Sequence, residues 1–259
     1  MKPKKQLGQN FLTRDHYAKA MAESAEINKK DTILEIGPGK GILTEVLLSQ
    51  AKKVIAVEKD KELLPFLENK FQKEIKGGKL KIIEGDALNL TPSPFPIGNS
   101  GFKLVANIPY YITGEILRYF LTAEKQPQSM TLMVQKEVAE RIVAKNGKES
   151  LLSISVKVYG EPKIITKVGA GNFYPKPKVD SAIIQIDNIS RDFFKNISEE
   201  KFFEVLRTGF GHKRKVLSGN LKIFGKEKIA TAFQKAKLEP KSRAEDVSLQ
   251  QWGILTKGT

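Results

Sequence analysis

The chain has 259 residues, 40% of them hydrophobic, with 20 Gly and 12 Pro, which are ordinary proportions for one large or two modest domains with a real core. Lys and Arg number 44 against 29 Asp and Glu, and the formal charge of +15 gives a positive field that gathers polyanions, nucleic acid first among them. With no Cys and only His16 and His212 there is little material for disulfides, thiolate nucleophiles, a metal cluster or a Ser-His-Asp relay, so no metal is expected.

In chain order, a basic arm over residues 1–19 leads into a helix around His16 to Ala25. "TILEIGPGKG", from Thr32, is a β-branched apolar run that breaks into three glycines, which predicts strand, tight loop and helix. "ILTEVLLSQ" has helical spacing, "KKVIAVEKD" predicts a second strand ending in Glu58, and "KELLPFLENKFQKEI" a second helix interrupted near Pro65. "LKIIEGDAL" gives a third strand ending near Asp86, "FKLVANI" a fourth and "SMTLMVQ" a fifth, with helices "TGEILRYFLTAE" and "KEVAERIVAK" after the last two. Strands alternating with crossover helices predict a mostly parallel sheet covered on both faces, here over residues 20–188. "LLSISVKVYGEPKIITKVGAG" and "SAIIQI" read as strands forming an antiparallel edge, and "TPSPFPIGNSG" as an irregular loop. After a linker at 189–197, "EEKFFEVLRTGFG", "GKEKIATAFQKA" and "SLQQWGIL" predict a small helical domain over 198–259. No apolar run approaches the ~18 residues of a bilayer span, and "MKPKKQLGQNFL" lacks a secretory apolar core, so the expected location is the cytoplasm, with no membrane partner.

Gly37, Gly39 and Gly41 let the backbone turn tightly and approach a ligand at the carboxyl edge of the sheet. Taken alone the loop is open to a purely structural or a nicotinamide reading. The dinucleotide fingerprint, however, needs glycine where Ile42 stands, and Glu35 puts a carboxylate at the pocket lip, which suits a cationic ligand better than a pyrophosphate. S-adenosylmethionine is such a ligand. Glu58, closing the second strand, can accept both ribose hydroxyls, and Asp86, closing the third, can reach the adenine amino group.

The fourth strand delivers Asn107 to the same edge. A planar amine there can donate to the Asn107 side-chain oxygen and the Ile108 carbonyl, while Pro109 stiffens the turn and the Tyr110 ring stacks on the base. Read structurally instead, Asn107 forms a turn and Tyr110 and Tyr111 pack in a core or lid. Tyr111 stays open between packing and catalysis.

"GQNFL" (Gly8 to Leu12), "EIGPGKGILT", "VEKD", "GDAL" and "NIPYYIT" together resemble the motifs of the small-subunit ribosomal RNA adenine N6-dimethyltransferases of the KsgA/RsmA type, over nearly the whole chain. The resemblance implies an α/β, Rossmann-like class I S-adenosylmethionine methyltransferase sheet with a small C-terminal helical domain. It implies cofactor contacts from Asn10, Leu12, Gly37, Glu58, Asp86 and Asn107; Gly39 and Glu35, from the reading of the loop itself, complete the candidate cofactor set. It also implies transfer of methyl groups to N6 of two adjacent adenines near the 3′ end of 16S rRNA, within the small ribosomal subunit or its precursor, by a monomer. "NFYPKPKVDSAIIQI", from Asn172, resembles the family's aromatic-proline motif and implies that Phe173 holds the target adenine against Tyr110; from the residues alone Phe173 is as well a loop anchor.

Basic groups at Lys2, Lys4 and Lys5, at His212, Lys213, Arg214 and Lys215, and at Lys222, Lys226 and Lys228 are candidate phosphate contacts, with Arg141 and Arg207 beside them. "FGHKRKVLSGNL" resembles the family's C-terminal basic motif. A 23S rRNA adenine methyltransferase of the resistance type, a mainly non-catalytic RNA-binding assembly factor and a DNA adenine methyltransferase are the competing readings.

Overall fold

A computed structural model describes residues 3–89 and 101–259. Most of the irregular loop expected at 91–101 therefore lies outside the described residues, as does Lys2. The chain divides into two compact units, residues 1–139 with 161–189, and residues 140–160 with 190–259.

The first unit contains β1 (Phe11–Leu12), α1 (Asp15–Ser24), β2 (Thr32–Ile36), α2 (Ile42–Gln50), β3 (Lys53–Glu58), α3 (Leu64–Lys70), α4 (Gln72–Lys76), β4 (Leu80–Glu84), β5 (Lys103–Asn107), α5 (Thr113–Leu121) and β6 (Met130–Gln135). α6 (Lys136–Ile142) and α7 (Leu151–Lys157) come next, then β7 (Glu161–Val168), β8 (Phe173–Tyr174) and β9 (Ser181–Asp187) back in the first unit. Seven strands form one sheet in the order β4-β3-β2-β5-β6-β9-β7, parallel from β4 to β6 and antiparallel where β9 meets β6 and β7. From β2 the chain moves outward through β3 and β4, then crosses back to lay β5 on the other flank of β2. The order reverses there, and connections leaving β2 and β5 diverge to open a crevice at the carboxyl ends of the strands. Ile33, Val54, Leu104, Leu132 and Ile184 are fully buried along the strands, which explains why these runs read as continuously apolar.

Pro65 sits in the first turn of α3, where a missing N–H is harmless, and the break in this helical stretch comes instead at Phe71, between α3 and α4. A larger correction concerns "LLSISVK", expected as part of the strands of the antiparallel edge. It is α7, started by a capping box in which the Ser150 hydroxyl accepts from the Ser153 N–H at 3.0 Å and Ser153 Oγ from the Ser150 N–H at 2.6 Å. Buried Ser153 is satisfied within the same turn, since its hydroxyl donates to the Ser150 carbonyl at 2.9 Å.

The domain boundaries also shift. Residues 140–160 join the helical unit, tied to it by the Glu149 N–H donating to the Glu245 carbonyl, by the Lys148–Asp246 ion pair and by the Tyr159 hydroxyl on Glu199 at 2.6 Å. The basic arm belongs to the first unit, because β1 pairs antiparallel with β8, Phe11 opposite Tyr174 and Leu12 opposite Phe173.

In the second unit α8 (Glu199–Phe210), α9 (Leu217–Leu221), α10 (Lys226–Lys235) and α11 (Leu249–Lys257) pack around Trp252 and Phe202, both fully buried. Gly209 makes the contact of α8 with α11 possible: a Cβ at that position would lie 2.4 Å from Trp252 Cη2. No helix among the described residues is long and apolar enough to cross a membrane.

Candidate active site

The crevice between the carboxyl ends of β2, β3 and β5 is an open cleft of about 1140 Å³, its mouth included. The glycine loop lines one side. Gly37, Gly39 and Gly41 have φ of +67°, +58° and +75°, a region costly for residues with a Cβ. At Gly37 a Cβ would meet nothing within 4 Å, so the space over that residue belongs to the cleft and is available to a ligand. At Gly39 it would meet the Phe11 ring at 2.9 Å and at Gly41 the Phe71 ring at 2.5 Å. The loop is thus packed on one side by the arm and on the other by the residue that breaks α3 from α4.

Glu35 lies deeper than expected. It is at the floor of the cleft and not at its lip, only 1% exposed, and neither carboxylate oxygen has a hydrogen-bond partner. Burial pushes its pKa up to about 8; nearby Thr44, whose hydroxyl is close but out of hydrogen-bond geometry, moderates the rise, Glu58 adds to it and Lys70 opposes it. An orphaned, buried carboxylate is costly unless a cation or donor arrives.

Glu58 ends β3 with both oxygens held, Oε2 by the Gly39 N–H at 3.1 Å and Oε1 by the Asp60 N–H at 2.8 Å. Burial raises its pKa, and those backbone donors work against the rise. Each oxygen still has a lone pair for a hydroxyl. Asp86 follows β4 and is paired with Lys59 at 2.8 Å, while the Leu88 N–H donates to its other oxygen at 3.1 Å. Its burial would raise the pKa, but the Lys59 and Leu88 hydrogen bonds hold the carboxyl below the usual range. An unpartnered buried carboxyl that an arriving cation would ionise, a glycine cradle and paired hydroxyl acceptors are a donor and acceptor set that fits a cationic adenosyl cofactor.

Asn107 ends β5 at this same edge, and its amide Nδ2 donates to the Asn10 carbonyl at 3.2 Å. Only the NH2 group can donate to a carbonyl, so the bond fixes which end of the amide is committed and leaves Oδ1 free of it. Ile108, Pro109 and Tyr110 continue along the cleft wall. The half-buried Tyr110 ring is anchored by its hydroxyl, 2.6 Å from Ser181 Oγ on β9, and burial raises the phenol pKa. Tyr111, in the same short 3-10 turn, is 59% exposed and lines the cleft, which excludes core packing for it.

The arm reaches the site by contacts no local pattern announces. Gln9 Nε2 donates to Asp60 at 2.7 Å, Lys4 Nζ bonds the same carboxylate at 2.7 Å, and Gln9 Oε1 accepts from the Lys4 N–H at 2.7 Å. Asp60 is buried, which alone would raise its pKa; hydrogen bonds from Lys4 and Gln9 hold it below the usual value. Asn10 and Leu12 come to line the cleft beside the glycine loop. Asp60 and Gln9 are the structural residues that sequence reasoning missed, although both fall inside motifs it singled out.

Phe173 differs from expectation. Its ring is 4% exposed in the core cluster with Leu12, Met133 and Ile183, and does not line the cleft, so it is not the partner of Tyr110 across a base in this conformation. The alternation along β8 exposes Tyr174 instead. Among the basic residues, Lys4 is committed to Asp60 and Glu62, and the Lys5 side chain lies outside the described residues. Arg141, Arg207, His212, Lys213, Arg214, Lys215 and Lys222 are all exposed and all belong to the second unit.

The ribosomal RNA adenine dimethylase family model matches residues 1–257. A "Ribosomal RNA small subunit methyltransferase A" of Dehalococcoides mccartyi is 40% identical over 258 residues, 98% of this chain and 88% of that one. A protein of the same name from Clostridium botulinum is 42% identical over 257 residues, 97% and 92%. Among solved structures, the dimethyladenosine transferase from Plasmodium falciparum superposes with a TM-score of 0.78 at 26% identity, covering 95% of each chain. The 23S rRNA methyltransferase ErmE gives 0.77 at 25% identity, covering 96% of this chain and 99% of its own. The fold is accordingly that of a Rossmann-like class I S-adenosylmethionine methyltransferase with a C-terminal helical region. Since the match runs through the cleft and both units alike, the chain belongs to the ribosomal RNA adenine dimethylase family.

Proposed function

We propose that this protein methylates N6 of two adjacent adenines near the 3′ end of 16S rRNA, in the small ribosomal subunit or its precursor, taking the methyl groups from S-adenosylmethionine. The observation that carries the chemistry is Asn107, held by Asn10 at the edge of a cleft whose floor is an unpaired carboxylate. S-adenosylmethionine supplies the electrophilic methyl group. The glycine loop, Glu58 and Asp86 would hold its adenosyl part, and Glu35 would face its cationic end.

The amine of the target adenine donates to Asn107 Oδ1 and to the Ile108 carbonyl, which turns its lone pair toward the methyl group, while Tyr110 stacks on the base. Asn107 Oδ1 and the Ile108 carbonyl would favour the positive charge that the amine nitrogen takes on when it accepts the methyl group from the bound cofactor, and the amine would then release a proton to solvent. Orientation and fixed dipoles carry the rate, with no covalent nucleophile needed. A flipped or unpaired adenine is required, because the amine of a stacked, paired base cannot reach the strand end. The exposed cations of the second unit supply phosphate contacts that position a folded RNA without reading its sequence. The small-subunit target is supported by the higher identity to the small-subunit methyltransferases than to the 23S enzyme. The cytoplasm, where subunits assemble, is the proposed location.

The test is to incubate the protein with labelled cofactor and, in parallel, undermethylated small subunits, large subunits and duplex DNA, then map modified bases by mass spectrometry. The expected product is N6,N6-dimethyladenine at adjacent positions in 16S rRNA. Label found only in 23S rRNA or DNA, or none despite binding of both partners, refutes the assignment.

A further inference from the structure

Consecutive tyrosines in the turn after β5 face two different neighbourhoods. Tyr110 bonds Ser181 on the β9 side, where the target base is read to lie. The 3-10 turn over Tyr110–Ile112 rotates the next side chain by about 120°. Tyr111 therefore meets a different set of groups. One is the arm: a Cβ at Gly8 would lie 3.0 Å from both Cδ1 and Cε1 of the Tyr111 ring and 3.4 Å from Pro109 Cβ, so the ring rests directly on the Gly8 backbone. The other is the cleft itself, whose wall Tyr111 shares with Lys59 and Asp86, the latter two paired with each other at 2.8 Å. The ring is nonetheless 59% exposed, an uncommon state for a large aromatic pinned on one side.

We propose that Tyr111 is a cofactor-recognition residue, whose ring closes the adenosyl end of the cleft opposite Asp86 and holds the N-terminal arm over it at Gly8. This goes beyond the target-binding role of Tyr110 and rests on the cofactor reading above. The exposed surface of Tyr111 is the part that contact with the adenosyl group covers, and Gly8, at φ +59° and without a Cβ, leaves room for the ring against the backbone.

Calorimetry with S-adenosylhomocysteine and with 5′-methylthioadenosine, which lacks the amino-acid end, tests the assignment on wild type, Tyr111→Phe and Tyr111→Ala. Tyr111→Ala should weaken both ligands by the same factor, on the order of tenfold for the loss of one ring–base contact. Tyr111→Phe should bind like wild type. Hydrogen exchange should show ligand-induced protection over residues 7–12 in wild type and Tyr111→Phe, and little in Tyr111→Ala. If Tyr111→Ala binds both ligands normally, the assignment falls whether or not RNA methylation changes. A loss confined to S-adenosylhomocysteine also overturns it, since the ring would then serve the amino-acid end. Wild type that binds neither ligand overturns the cofactor reading itself, and wild type that binds both but leaves 16S rRNA unmodified overturns only the proposed substrate.

Discussion

Replacing Glu35 by Gln should make the sheet unit more stable, and increasingly so as pH rises. In the folded chain this carboxyl has a pKa of about 8 against an ordinary 4.5, with burial as the main cause. The unfolded chain gives up its proton near 4.5 while the folded chain keeps it, so between the two values the folded state binds more protons and stability falls with rising pH. The loss is complete only above about 8. At 1.36 kcal/mol per pKa unit, the interval corresponds to roughly 5 kcal/mol, an upper figure because relaxation and water penetration soften burial of a charge. Glutamine keeps the shape and never ionises. Urea unfolding followed by far-UV circular dichroism at pH 5.5, 7 and 9 should show the two proteins close together at the lowest pH and the Gln variant ahead by several kcal/mol at the highest. Trp252, the single tryptophan, lies in the other unit, so its fluorescence monitors that unit separately. A stability difference that is the same at pH 5.5 and pH 9 would show that Glu35 is not held protonated and would refute the reasoning.

Asn107→Ala should lower turnover by about 100-fold or more while leaving cofactor affinity within a few-fold, because its oxygen orients the amine; single-turnover methylation beside calorimetry separates the two effects. Phe173→Ala should remove a packed ring from the core of the sheet unit and destabilise it by about 3–5 kcal/mol, visible as a lower urea midpoint even without RNA or cofactor. Unchanged stability with lost methylation would restore the base-holding role that the sequence motif implies. Charge reversal of Lys213 and Lys215, both exposed and without an ion-pair partner among the described residues, should weaken binding to small subunits and flatten its salt dependence by roughly two units of log–log slope; an unchanged slope moves the RNA surface elsewhere. Gly209→Ala would force a methyl group to within 2.4 Å of a fully buried indole and should cost the helical unit about 3 kcal/mol, read from Trp252 emission in urea.

The edge of the parallel sheet was legible because a parallel strand puts its last residue at a fixed edge. Once "TILEI", "KVIAVE" and "KLVAN" are recognised as strands joined by crossovers, Glu58 and Asn107 must share that edge, and the loops just beyond supply Gly37 and Asp86. What stayed hidden depends on pairings between distant residues. The Gln9–Asp60 bond spans 51 positions and Thr13–Asn172 spans 159, and neither leaves a period or a propensity to read. The same limit accounts for residues 140–160, whose partners near 199 and 245 decide which unit they join. Lys4 misled for a related reason: a lysine in a basic arm reads as a phosphate contact until Asp60 is known to be buried beside it. Phe173 and Tyr174 show how narrow the margin is, since a two-residue strand sends one ring inward and the next outward, and the motif does not say which face is the core.

A switch-point crevice with a glycine loop is common to many cofactor-binding sheets, so it does not by itself explain an amine acceptor. What specialises this one is the chain returning from its N-terminus. The arm lays Phe11 against Gly39 and gives the Asn10 carbonyl to the Asn107 amide. Without that carbonyl the Asn107 amide can flip, presenting NH2 where an acceptor is needed, and an amine facing a donor is repelled instead of aligned. The arm is itself anchored at Asp60, two residues beyond Glu58, whose carboxylate is in turn held by the Asp60 N–H. The Glu58 carboxylate, the arm docked at Asp60 and the orientation of the Asn107 amide are therefore mechanically connected. On the proposed cofactor reading, a ligand bound against Glu58 and Gly39 would reinforce the arm and with it the Asn10 carbonyl that holds the Asn107 amide, so binding of the first partner would help prepare the site for the second.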